Sequence, residues 1–105
     1  KALGHLQQAT MWFMQNAMAK PDNAGAGAYD YMHLMGLVAM GYMWARMAKV
    51  AHEKKTQGNG VADRMDAKLL TGRFFMERML PETGAHLARI SSGADAVMTL
   101  PADMF

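Results

Sequence analysis

The chain has 105 residues, 51% of them hydrophobic and only 19% charged, with a formal net charge of +2. That length bounds it at one domain with one core, short of what a cofactor enzyme with a fold of its own usually needs. The lack of cysteine excludes disulfides and thiolate metal sites, and a small basic excess without any basic run gives no reason to expect nucleic acid.

From about Ala2 to Ala19 the spacing predicts an amphipathic helix, with Leu3, Leu6, Thr10, Phe13 and Ala17 on one side and Gln7, Gln8, Gln15 and Asn16 largely on another. Pro21 is expected to end it, because the residue before a proline is pushed out of the helical region. A link from Lys20 to Ala28 then offers Asp22 and Asn23 as caps for the next helix, with Asp30 near that helix's positive end. Gly25 and Gly27 lack the third glycine and the preceding strand of a phosphate loop, so they read as a flexible or weakly helical lead-in.

The stretch Tyr29 to His52, YDYMHLMGLVAMGYMWARMAKVAH, is predicted to be the central helix. Between Tyr31 and Met47 only His33 and Arg46 are neither apolar, aromatic nor glycine. One stripe runs Met32, Met35, Gly36, Ala39, Met43, Arg46, Val50; a second runs Tyr31, Leu34, Val38, Tyr42, Ala45, Lys49. Two apolar stripes imply two sets of neighbours, so this helix is expected to be surrounded. Its apolar run approaches the ~20 residues that span a bilayer. Gly36, Gly41, Arg46 and the amphipathic neighbours favour burial inside a bundle instead.

Lys54 and Lys55 complement the negative end of the central helix, and Gly58, Asn59 and Gly60 predict a tight reversal. From about Val61 a third helix places Val61, Met65, Leu69, Gly72, Met76, Met79 or Leu80, Thr83, Leu87 and Ile90 on one side. Pro81 lies inside that run and should bend or locally open it about one turn earlier, because it cannot donate to the Glu77 carbonyl. After Ser91, Ser92 and Gly93 a short helical turn is expected over Ala94 to Met98, then a tail held by Met104 and Phe105. The fold class is therefore all-α: a single unit, residues 1–105, of three main helices plus a short C-terminal helical turn. Because the chain opens on Lys1 without a leader pattern, it reads as a piece of something longer, with the cytoplasm as its default setting.

No constellation declares a chemistry. Asp30 and His33 have the i, i+3 spacing of a carboxylate–imidazole metal pair, but the remaining candidates, Glu82 and His86, have a different spacing on a broken helix, so no metal site is assigned. The methionine pairs Met11/Met14, Met32/Met35, Met40/Met43 and Met76/Met79 could hold Cu(I), yet they occupy positions that pack, and adaptable filling is the simpler account. Trp12, Trp44, Tyr29, Tyr31 and Tyr42 read as core or interface aromatics. The bases from Lys49 to Arg89 alternate with Asp63, Asp66, Glu77 and Glu82 and read as a solvated, paired surface. Arg46 is the exception: inside an apolar helix it must snorkel outward or find an anion. Arg46, His33 and Trp44 are thus the candidate interface or buried ion-pair residues, and no catalytic, cofactor-binding or metal residue is nominated.

The segment YDYMHLMGLVAMGYMWARMA, followed after the reversal by AKLLTGRFFMERMLPETGAHLARISSGADAVMTLPADMF, resembles the C-terminal helical domain of a large-type subclass of acyl-CoA dehydrogenases. The positions that carry the resemblance are Asp30, Tyr31, Gly36, Gly41, Trp44, Arg46 and Ala48, then Lys68, Leu69, Phe74, Phe75, Glu77, Arg78, Leu80, Pro81, Glu82, Gly93 and Phe105. The resemblance implies a segment appended to the flavin-binding core of an enzyme that oxidises acyl-CoA thioesters to 2-enoyl-CoA with FAD. The family includes relatives that act on sulfur-containing propionyl-CoA substrates such as 3-methylmercaptopropionyl-CoA. In such enzymes the base, the FAD and the acyl-CoA sites lie in the core, so none is expected in this chain.

Its implied role is structural or in assembly, with the flavoprotein core of the same enzyme and a homo-oligomer as partners. Three helices cannot cover every side of an all-round apolar helix, so some methionine-rich surface should stay open in isolation. The alternative is a helical protein- or DNA-binding module without enzymatic role. Against its DNA-binding form, the charge stripe that phosphate contacts require is missing. Neither nucleic acid nor membrane is an expected partner.

Overall fold

The structure, a computed structural model, describes residues 1–56 and 62–104. Among these residues all regular structure is helical: α1 Ala2–Asn16, α2 Pro21–Thr56, α3 Ala62–Phe74, α4 Thr83–Ser91 and a short α5 Asp95–Met98. A π-helical turn, Phe75–Met79, and a 3₁₀ turn, Leu80–Glu82, join α3 to α4, and a last 3₁₀ turn covers Ala102–Met104. The expected reversal at Gly58–Gly60 lies outside the described residues, as do Val61 and Phe105.

The N-terminal third departs from the helix boundaries that the spacing predicts. α1 stops at Asn16 rather than near Ala19: the Asn16 side chain turns back onto the Trp12 carbonyl at 2.9 Å, and its own carbonyl accepts from the Lys20 amide at 3.1 Å. Pro21 opens α2 instead of merely closing α1, since its preset φ suits a first helical position and its missing N–H has no partner to lose there. The predicted link to Ala28 is consequently helix, with Gly25 and Gly27 inside it. Packing overrides the weak helix propensity of glycine here. A Cβ on Gly27 would lie 2.7 Å from the tip of the Phe13 ring, so α2 can pass over that ring only with glycine at this position.

α2 is covered on one side instead of being surrounded. At 36 residues it runs roughly 54 Å, in a molecule measuring 66 × 28 × 15 Å. Such a thin body cannot surround a helix. One stripe is covered: Gly27, Asp30, Leu34, Val38, Gly41, Trp44, Ala48 and Ala51 are buried or half-buried. α1 and α4 pack on its first half, and α3 on its second. The predicted stripe from Met32 to Val50 is exposed throughout, and the other leaves the covered face after Val38. The buried positions recur slightly more often than once per 3.6 residues, so the seam drifts around α2 and away from both predicted stripes.

The core lies where α1, α2 and α4 meet. Ala9, Leu34 and Ile90 are its buried centre, ringed by Leu6, Trp12, Phe13, Tyr31, Val38 and Leu87. Phe13 makes edge-to-face contacts with Trp12 and Tyr31, centroids 5.6 and 5.1 Å apart. Fully burying Leu34 and Ile90 contributes roughly 1.5–3 kcal/mol each. Polar stitches cross the same junction: Thr10 Oγ1 to Tyr31 Oη at 2.7 Å and His5 Nδ1 to Thr83 Oγ1 at 2.8 Å.

Pro81 acts as its chemistry demands. The Leu80 amide reaches back five residues to the Phe75 carbonyl, so the helix opens into a π turn ahead of the proline. Phase is nevertheless kept, because Leu69, Gly72 and Phe75 before the break and Thr83, His86 and Ile90 after it are buried or half-buried. Of the two residues predicted for the break, Leu80 turns inward and Met79 is exposed. α5 begins where the Ala94 amide donates to Asn23 Oδ1 at 3.0 Å, which ties the C-terminal segment to the start of α2.

Candidate functional site

The titratable cluster is built by α2 and α4. Asp30 sits one turn before Leu34 on the buried stripe, and its Oδ1 accepts from His86 Nδ1 at 2.9 Å and from Arg89 Nε at 2.8 Å. His86 is 4% exposed and Asp30 8%, whereas the Arg89 side chain is about half exposed, so the pair is buried and its cation stands at the rim. With the hydrogen of His86 on Nδ1, the 3.1 Å approach of Arg89 Nη2 brings two donors together and is not a hydrogen bond. Nε2 of His86 faces Glu82 Oε1 at 3.9 Å. His33 stacks on His86, centroids 5.7 Å apart, and Tyr29 packs against His33 at 4.3 Å.

Burial by itself would raise the Asp30 carboxyl, but the hydrogen bonds and charges of Arg89 and His86 together outweigh it and hold the carboxyl below its ordinary range. The hydrogen bond from Arg89 to Asp30, reinforced by charge, raises the guanidinium in turn. A carboxylate that orients an imidazole could serve a nucleophile, yet the free imidazole nitrogen faces a carboxylate, and no hydroxyl is bonded to it among the described residues. The arrangement ties α4 to α2.

The sequence points to none of its three members in this role. Asp30 is not at the positive end of a helix, because α2 begins nine residues before it. Arg89 is not simply part of a solvated surface, because it pairs with that buried acid. The sequence signal available was the register of Asp30 with Gly27 and Leu34, which marks an acid on a covered face. Other surface charges pair as expected, Arg73 with Glu77 at 2.8 Å and Lys55 with Asp66 at 2.6 Å.

The three nominated residues are dispersed. His33 is exposed apart from its ring contacts. Trp44 is half-buried with its ring against Gly72, where a Cβ would lie 3.3 Å away. Arg46 is exposed, its guanidinium carbon 5.8 Å from the centre of the Tyr42 ring.

The open face of α2 carries the apolar surface. Met32, Met35, Met40, Tyr42, Met43 and Val50 are all between 46% and 63% exposed. Two apolar grooves flank it. One, about 580 Å³, lies between the start of α1 and the middle of α2 over Leu3, Leu6, Met35, Val38, Tyr42 and Leu80. The other, about 390 Å³, runs between the far half of α2 and α3 over Met43, Met47, Val50, Ala51 and Met65, rimmed by Arg46, Lys54 and Lys68.

Residues 1–101 match the family described as acetyl-CoA dehydrogenase C-terminal like. The chain belongs to that family. The 3-methylmercaptopropionyl-CoA dehydrogenase of Ruegeria pomeroyi is 30% identical over 79 residues, 75% of this chain and 13% of that protein. The aligned stretch is thus a small part of the relative's length.

The family implies a flavin, and the residues of this family member do not fit one. A common cradle for a dinucleotide pyrophosphate is a glycine-rich turn with free backbone amides at a helix start. Gly25 and Gly27 instead lie inside α2, where each amide belongs to the helix's own hydrogen-bond ladder. The grooves are shallow and apolar, and no group of metal-ligating residues occurs among the described residues. No helix of the described residues is long and apolar enough to cross a membrane.

Proposed function

We propose that this chain is the C-terminal helical domain of an FAD-dependent acyl-CoA dehydrogenase that oxidises acyl-CoA to 2-enoyl-CoA, and that its part is assembly rather than chemistry. The observation that carries this is the uncovered side of α2, a line of methionine, tyrosine and valine side chains along a rod only 15 Å thick. An apolar strip of that length on a small domain marks an interface, since burying it removes an extended unfavourable contact with water that the fold leaves behind. Its partners are the flavoprotein core of the same enzyme and a second subunit, in the cytoplasm. His33 and Arg46, both exposed beside the strip, are polar contacts of that interface, and Trp44 stiffens the helix behind it.

Removing residues 1–105 from the parent enzyme tests the assignment. Subunit assembly and flavin retention are expected to fall, with turnover falling as a consequence. If assembly, flavin content and turnover all stay unchanged, the assembly role is wrong. The chain alone is expected neither to retain flavin nor to oxidise acyl-CoA, and flavin-dependent turnover by it would overturn the placement of the active site elsewhere.

A further inference from the structure

We propose that two copies of this chain pair antiparallel, the C-terminal segment of each seated in the groove between α2 and α3 of the other. The two surfaces match in chemistry. The groove has an apolar floor of Met43, Met47, Val50 and Met65, and every charge that lines it is positive: Arg46, Lys54 and Lys68. The segment after Arg89 carries Asp95 and Asp103 and no Lys, Arg or His. Beyond Ala94 its described apolar side chains are open to water, Val97 at 65% and Met104 at 68% exposed, with Met98 and Leu100 between them in sequence. Asp95 has one weak partner, Lys20 at 4.0 Å, and both side chains are exposed.

A chain cannot seat Val97 in its own groove. The Ala94 amide is fixed to Asn23 at the start of α2. Val50 lies 27 positions further along the same helix, roughly 40 Å away at the α-helical rise. Val97, three residues past the anchor, reaches about 10 Å at most. An antiparallel second copy brings its C-terminal segment to the far end of the 66 Å rod, and the same operation returns the favour at the other end. Such a pair is two-fold and closed, so it stops at two. Methionine floors adapt to a short irregular segment more readily than a rigid aliphatic groove does.

The proposal rests on the reading that the uncovered side of α2 is an interface, and the two fail differently. The test uses the 105-residue chain with Val97 replaced by the photo-cross-linking residue benzoylphenylalanine, mixed from ¹⁵N-labelled and unlabelled protein. Mixed-mass adducts are expected between position 97 and peptides containing residues 43–54 or 65–68. Adducts confined to one chain, adducts mapping elsewhere, or a chain that stays monomeric at about 0.1 mM would overturn the pairing. The double change Lys54→Glu with Lys68→Glu should weaken the pair about tenfold or more. Adding Asp95→Lys with Asp103→Lys should restore it. All four positions are exposed, so folding is retained, and a folded quadruple variant that remains monomeric sinks the charge match. A chain that is monomeric alone, in a parent that still needs it to hold flavin, would end the pairing and leave the assembly role intact.

Discussion

Replacing Gly27 by alanine should destabilise the fold, although the same replacement at Gly36, also in α2, should stabilise it. In a helix interior alanine gains about 1 kcal/mol over glycine. At Gly36 that gain is free, because nothing lies within 4 Å of the added Cβ. At Gly27 the Cβ would meet Phe13 Cζ at 2.7 Å and Cε1 at 3.1 Å, with Ile90 Cγ1 behind at 3.7 Å. The ring cannot step aside without breaking its edge-to-face contacts with Trp12 and Tyr31, 5.6 and 5.1 Å between centroids. Overpacking of this kind costs about 1–3 kcal/mol, so the expected net is a loss of about 1 kcal/mol. Chemical denaturation of the two variants against the parent chain reads the difference, about 2 kcal/mol between two identical substitutions. For a domain of this size about 1 kcal/mol is about 4–8 °C in melting temperature, so heating resolves it too. Gly27→Ala matching or exceeding Gly36→Ala would refute the packing of α1 on α2 as described.

Asp30 makes stability pH-dependent with a definite sign. Its carboxyl is lowered in the fold, so its contribution is complete above the ordinary carboxylate range near ~4 and is lost as pH falls through the lowered value. Asp30→Asn should flatten the acid limb of a stability profile, and an unchanged limb would contradict the tie to Arg89 and His86. Leu34→Ala empties a site that is 0% exposed between helices that cannot collapse into it, and about 3–4 kcal/mol should be lost in urea unfolding. Leu70→Ala, at a side chain 68% exposed, should change stability by less than about 0.5 kcal/mol. In the parent enzyme, Arg46→Leu should weaken subunit assembly, measured by sedimentation, more than Lys55→Ala, because Lys55 is already committed to Asp66 at 2.6 Å. Equal effects would remove Arg46 from the interface.

Helical periodicity made the architecture legible, and it worked best where a helix has one covered face. The inward set of the third rod, from Met65 to Ile90, was readable because its apolar residues recur at three and four while charges fill the rest. It failed on α2, where apolar residues occupy every face and spacing alone cannot say which one is covered. There the deciding residues were small: Gly27, Gly41 and Ala51 mark the seam because neighbours come close to the backbone. The Asp30–His86–Arg89 tie was illegible for another reason. Its partners stand 56 and 59 positions apart, and each alone resembles a surface residue.

The π turn at Phe75–Met79 gives this chain one place where its length can change by a residue. A π turn stores one more residue between bonded groups than an α turn does. Losing an exposed residue there, such as Met79, would take up that extra residue ahead of Pro81, which still bars an unbroken α-helix, while α3 and α4 keep their mutual rotation. The same loss inside α4 would swing everything beyond it by about 100°, carrying Arg89 and Ile90 away from α2. Single-residue deletions should therefore be accepted over the exposed positions Glu77 to Met79 and rejected two turns later. Gene variants differing in length along this rod should differ there.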